Sequence, residues 1–241
     1  ASRFPQLKEI EKILLCLKNK GGDINEIGMP HSDPLADGPV IQHSSIAALN
    51  NGITIDLLFK QLKNCRKTIQ LPLILMGYLN PVLQYGIEKF CSDASEVGID
   101  GIILPDLPLY EYETEYKEIF QKYNLHFIFL ITPETSEARI RKIDAISDGF
   151  IYAVSSSSIT GSDKNLSAQK SYFQRIANMN LKNPIMIGFG IRDHQTFSEV
   201  CQYAAGAIIG TAYIKAIETS VDLERDTAVF LNSILKPGCL I

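Results

Sequence analysis

A short apolar run, a turn and an amphipathic helix recur along this chain, and that repetition constrains the fold more than any other feature. The runs are Asp23–Met29, Leu73–Tyr78, Gly101–Leu104, His126–Ile131, Gly149–Val154, Pro184–Gly188 and Ala207–Ile209. Most are apolar almost throughout, as strands are when both faces of a parallel sheet are covered. The segments between them have a helical period. Leu7, Ile10, Ile13, Leu14 and Leu17 fall on one face of the first, with Lys8, Glu11, Lys12 and Lys18 elsewhere. Asp193 is a good N-cap for a helix that sets Phe197, Val200, Cys201 and Ala204 on one side. A last helical pattern runs from Tyr213 to about Leu235. Parallel neighbours need crossovers of this kind.

Seven runs are visible, and the chain opens with a helix preceded by Ala1-Ser2-Arg3-Phe4-Pro5. The expected class is α/β, a (β/α)8 barrel in which residues 1–241 form one domain and the first strand lies before Ala1. The alternative is an open doubly wound sheet of seven strands. With 241 residues, 46% of them hydrophobic, there is material for one well-packed core, and barrels run to about 250 residues. The formal charge of −4, with no basic run, gives no electrostatic reason to expect nucleic acid or an anionic membrane as a partner. Five scattered cysteines and four scattered histidines fit reduced thiols and no metal site. No apolar run has the length of a membrane span. A cytoplasmic location is expected.

In either architecture chemistry belongs at the carboxyl ends of the strands. After the first run comes a rigid loop from Glu26 to Pro39, with three prolines and two glycines. Glu26, close to Ile24 and Ile27, reads either as a partly desolvated carboxylate suited to proton transfer or as a solvated strand-end residue. Asp33 and Asp37 stand in turn contexts where a local structural role is common. Late in the chain, Gly188-Phe189-Gly190, Gly210-Thr211 and Thr160-Gly161-Ser162 follow three consecutive strands. Each alone could be a tight turn. Together they read as an anion cradle, with Thr160, Ser162 and Thr211 as hydroxyl donors. The residues alone thus describe a barrel enzyme acting on a small phosphorylated substrate, and do not name the reaction.

The stretch EIGMPHSDPLADGPVIQ, Glu26 to Gln42, resembles the signature of the tryptophan synthase alpha family. Leu75-Met76 with Asn80-Pro81, Leu104-Pro105-Asp106-Leu107-Pro108, Ile131-Thr132-Pro133 and the three Gly turns extend the resemblance over most of the chain. It implies retro-aldol cleavage of indole-3-glycerol phosphate to indole and glyceraldehyde 3-phosphate. It implies Glu26 as the acid/base at C3 of the indole and Asp37 as the carboxylate at the indole N–H. Gly161, Gly190, Gly210 and Thr211 match phosphate-binding positions, and Tyr152, Phe189 and Thr160 match the pocket. Pro30, Asp33 and Pro108 fall in loops like those that meet a beta subunit. That partner, in an alpha2beta2 heterotetramer, holds pyridoxal phosphate; the alpha chain holds no cofactor and no metal.

The sequence departs from the family at Ser156, where an Arg is usual, and at Ser158, where a Gly is usual. Serine cannot replace a multi-donor guanidinium or glycine's backbone freedom in a closing lid. His31 stands for a usual aromatic and Thr211 for a usual serine. Two grades of activity follow: a slow but real lyase, favoured by Glu26 and Asp37, or a catalytically weak chain that chiefly activates the beta subunit, favoured by the altered lid. Another phosphate-binding barrel, such as an isomerase or aldolase, is a third reading. The apolar runs carry no Schiff-base lysine, which counts against a lysine-dependent aldolase.

Overall fold

The computed structural model describes residues 10–32, 38–155, 163–188 and 190–235, with 163–168 described by backbone alone. Its strands are β1 (Asn25–Gly28), β2 (Leu73–Met76), β3 (Gly101–Ile103), β4 (His126–Phe127), β5 (Phe129–Ile131), β6 (Ile151–Val154), β7 (Ile185–Gly188) and β8 (Gly206–Ile208). The run His126–Ile131, expected as one strand, is divided at Ile128, so seven runs give eight strands. Among the described residues all six strand pairs are parallel. They form two four-stranded sheets, in the orders β1-β2-β3-β4 and β5-β6-β7-β8. Neither order reverses, whereas a doubly wound sheet has a reversal at its switch point. Among the described residues no helix is long and apolar enough to cross a membrane.

The chain forms two compact units, Ala1–Phe127 with Ile214–Leu231, and Ile128–Tyr213 with Asn232–Ile241. In the first, register places Ile27, Leu75, Ile102 and Phe127 side by side on one face of the sheet. All four are buried. Phe127 packs on Tyr112 and Phe120 of the preceding helical segment, between β3 and β4, with ring centroids 4.6 and 5.2 Å away. This is therefore the helix-covered face, and each such side chain contributes about 1.5–3 kcal/mol by leaving water. Alternation then puts Glu26, Ile74 and Gly101 on the opposite face.

The helices follow the expected rhythm with two adjustments. The helix after Asp193 spans His194–Val200 and opens with a capping box between Asp193 and Thr196. It ends before Cys201, so Cys201 and Ala204 do not continue its buried stripe. The last helical pattern is two helices, Thr211–Ile217 and Leu223–Leu235. Asp222 starts the second by accepting from Arg225 N at 3.2 Å, and the intervening Val221 is 94% exposed. A residue that satisfies orphan amides starts a new helix more readily than it continues an old one.

Two polar groups, one buried and one half-buried, give measurable consequences. Asn25 is 2% exposed, and neither of its side-chain amide atoms has a hydrogen-bond partner among the described residues. Asn25→Val is expected to raise stability by about 1–2 kcal/mol, because it removes an uncompensated desolvation cost. An unchanged or lowered urea midpoint would contradict this. In the second unit, Asp144 accepts from Lys182 N at 2.8 Å and from Asn183 N and Nδ2, both at 2.9 Å. Burial pushes its pKa up, but these bonds outweigh burial and hold the carboxyl below its usual value. A depressed folded-state pKa gives stability that is present above the unfolded value, about 3.9 for Asp, and lost as pH falls through the folded one. Asp144→Asn is therefore expected to be less stable than the parent chain at pH 7, with the gap closing below about pH 4. Thermal unfolding at pH 7 and pH 3 checks this, and a gap unaffected by pH would contradict it.

Candidate active site

In the first unit, β1 alternates, with Asn25 and Ile27 buried and Glu26 and Gly28 exposed. Glu26 shares a face with Ile74 and Gly101 of the next two strands, and Gly101 adds no side chain there. Of the two readings that the sequence left open for Glu26, the strand gives the solvated one. Ile27 points to the opposite face, and Ile24 is itself 36% exposed. Glu26 is an accessible carboxylate within a parallel strand, two residues before its carboxyl end at Gly28. Pro30, half-buried, stands two residues after the end of β1, and Pro108, exposed, precedes the short helix Leu109–Glu111. The loops after β1, β2 and β3 meet through a stack of His31 on Tyr78, centroids 4.4 Å apart, and through Asp106, which accepts from Leu79 N at 2.9 and 3.0 Å.

In the second unit, β7 and β8 are paired so that Gly188 lies opposite Ile208. Gly190 and Gly210 each stand two residues further on, so both turn glycines leave neighbouring strands at the same level. Gly190 has φ +79°, a left-handed conformation that costs an ordinary side chain energy. Gly190, Gly210 and Thr211 are exposed, and Thr211 is the first residue of the helix Thr211–Ile217. Tyr152 of β6 is buried, 4% exposed, with its ring where a side chain on Gly188 would have to stand. This close approach explains why residue 188 is a glycine. The loop after β5 is held from the helix Asp163–Ala177. Tyr172 donates to Ile131 O at 3.2 Å, and Arg175 to Pro133 O at 2.7 Å and Thr135 O at 3.2 Å. Burial pushes the Tyr172 phenol well above its usual pKa, so it remains a neutral donor.

Glu26 thus lies within β1 and Pro30 just beyond its end, while Tyr152 lies within β6 and Gly190, Gly210 and Thr211 just beyond the ends of β7 and β8. Asp33, Asp37, Ser156, Ser158, Thr160, Gly161 and Phe189 lie outside the described residues. Tyr172, Arg175 and the contacts of His31 and Asp106 had no local sequence signal, since their partners are dozens of residues away. Among the described residues no three His, Cys, Asp or Glu gather as a metal site.

A family model described as tryptophan synthase alpha chain matches residues 1–235. The chain is 55% identical over 218 residues to a tryptophan synthase alpha chain of Flavobacterium johnsoniae, covering 90% of this chain and 86% of that one. It is 55% identical over 233 residues to that of Phocaeicola vulgatus, covering 96% and 90%. Among solved structures, a mutant tryptophan synthase alpha-subunit from Pyrococcus furiosus superposes with a TM-score of 0.86 at 30% identity, covering 97% of this chain and 94% of that one. Subunit alpha from Legionella pneumophila superposes at 0.84 and 35% identity, covering 94% and 85%. The fold class is the (β/α)8 barrel expected from the repeating unit. With its motifs, its strand order and its relatives in agreement along nearly the whole length, the chain belongs to the tryptophan synthase alpha chain family.

Proposed function

We propose that this chain, as a single barrel domain working in the cytoplasm, cleaves indole-3-glycerol phosphate to indole and glyceraldehyde 3-phosphate. The observation that carries the reading is the place of Glu26. In a chain of this family, it is the second of the four residues of β1, on the face turned away from the helices, and the loop that carries Asp37 leaves the same strand.

The reaction needs a proton on C3 of the indole, loss of the proton from the side-chain hydroxyl next to it, and breakage of the carbon–carbon bond between them. The bonding electrons return to the ring nitrogen system as the aldehyde forms, so atoms balance without a co-reactant. Glu26 serves as the acid/base that moves the proton. Asp37 accepts the indole N–H and offsets the positive charge that C3 protonation places on the ring. Glu26 is exposed in the free chain, so the desolvation that tunes it comes from the substrate's own indole ring covering the carboxylate. Gly190, Gly210, Thr211 and Gly161 hold the phosphate through backbone amides and the Thr hydroxyl. Tyr152, Phe189 and Thr160 shape the pocket. Family alpha chains carry no cofactor, and pyridoxal phosphate belongs to the beta subunit. Indole passes to that subunit in an alpha2beta2 heterotetramer through the surface of Pro30, Asp33 and Pro108. A solved alpha-subunit like this chain, with TM-score 0.86 and 30% identity over 97% of it, comes from the mutually activating a2b2 complex of Pyrococcus furiosus.

Ser156 and Ser158 favour a second reading, a catalytically weak chain that mainly activates the beta subunit. Expression of the full-length protein in a bacterium lacking its own alpha chain separates the two. Growth without tryptophan or indole is expected. Growth only when indole is supplied would overturn the cleavage reading and leave the activating one.

A further inference from the structure

The three loops that follow β1, β2 and β3 are joined more tightly than their backbone pairing requires. The ladder runs slightly past the strands, with Met29 N donating to Met76 O at 2.7 Å and Gly77 N to Ile103 O at 3.1 Å. Beyond it, side chains take over. The His31 ring lies on the Tyr78 ring at 4.4 Å between centroids and 25° between planes. Tyr78 precedes the helix Leu79–Tyr85, and its own side chain makes no capping bond. Asp106, from the loop after β3, takes that role, with both carboxylate oxygens accepting from Leu79 N. Tyr78 and Leu79 are consecutive, so the stack and the cap act on the two sides of one peptide unit.

We infer that Asp106, Tyr78 and His31 form a relay of positioning residues that fixes the chain leaving β1. The inference rests on the proposed cleavage, because the chain so fixed runs from Glu26 towards Asp37, six residues beyond His31 in the sequence. The contacts are suited to this use. A stack of two half-buried rings and a single charge-assisted bond at an exposed position are too weak to decide whether the chain folds. They are strong enough to shift a loop between placements by about tenfold. A carboxylate displaced from its reacting position by a fraction of the substrate's size loses most of its effect. An imidazole ring keeps the stacking face that an aromatic at position 31 would supply.

Turnover and amide exchange together test this. His31→Ala and Asp106→Ala are each expected to lower kcat about tenfold with KM within about twofold, and with the unfolding midpoint nearly unchanged. His31→Phe is expected to recover most of the loss. The double variant should lose no more than about the larger single effect, because both act through one relay. Independently of turnover, exchange in the segment Gly28–Ser32 is expected to quicken in Asp106→Ala, although Asp106 is not part of that segment. Quickening at Leu79 alone, with kcat and Gly28–Ser32 unaltered, would overturn the relay. If the parent chain releases no indole, the proposed cleavage fails, and exchange in Gly28–Ser32 alone decides whether the relay exists.

Discussion

Glu26→Gln is expected to lower indole-3-glycerol phosphate cleavage by about 10²–10⁴-fold while changing stability by no more than about 0.5 kcal/mol. The two halves of that expectation have one structural cause. Glu26 is on the exposed face of β1, while Asn25 and Ile27 make the buried contacts on the other side. Replacing the carboxylate by an amide of nearly the same shape removes no core packing. It does remove the only group on this strand able to give and take a proton, and an amide cannot protonate C3 at neutral pH. The check is kcat/KM for the variant beside a urea unfolding curve. A loss of activity below about tenfold would assign the proton transfer to another group. A stability loss above about 2 kcal/mol would show Glu26 to be a structural residue whose activity effect is secondary.

Arg66→Ala is expected to cost about 2–4 kcal/mol of stability, the largest effect away from the reacting groups. Arg66 Nε donates to Gly98 O and Nη1 to Leu71 O, both at 2.7 Å, and Nη2 bonds Gly98 O and the Asp100 carboxylate. Asp100 in turn accepts from Leu73 N at 2.7 Å, at the start of β2. One guanidinium thus satisfies the carbonyls that lead into β2 and β3, on the end of the strands that serves stability and not chemistry. Gly98 is part of the same device. It has φ +85°, and the Arg66 side chain occupies the place where a Cβ would stand. Removing the side chain leaves several main-chain acceptors without donors in a partly buried place. Arg66→Lys is expected to recover less than half, because an ammonium cannot span the fork of acceptors. Urea denaturation measures both. A cost below about 0.5 kcal/mol for the alanine variant would mean that water replaces the network at no penalty.

Much of the fold was legible because burial imposes a pattern. The run Leu73–Tyr78 is apolar on both sides, and β2 is buried almost throughout. Asp193 reads as a cap because its side chain acts on its own helix, and the capping box is there. The continuous pattern from Tyr213 misled. Period alone does not register that Asp222 offers a fresh start, and the helix breaks between Ile217 and Leu223. The site was legible only where position along a strand decides it. Glu26 could be placed on the first strand from the sequence, but its exposure could not. Exposure depends on which face alternation assigns to Ile27, and the sequence neighbours left burial and solvation both open. The His31–Tyr78 stack and the Asp106–Leu79 bond were out of reach because parallel topology separates touching loops by a whole helix. The phosphate side was read from glycine spacing, and pairing of β7 with β8 brings Gly190 and Gly210 to one level, which spacing alone does not give.

The most direct measurement is steady-state release of indole from indole-3-glycerol phosphate by the full-length protein, alone and saturated with a matching beta subunit, beside Glu26→Gln. Release in both conditions, faster with the partner and lost in the variant, is the expected result. Release no faster than the variant's in either condition, with the beta subunit still activated, would contradict the proposed chemistry and leave a barrel that serves only its partner.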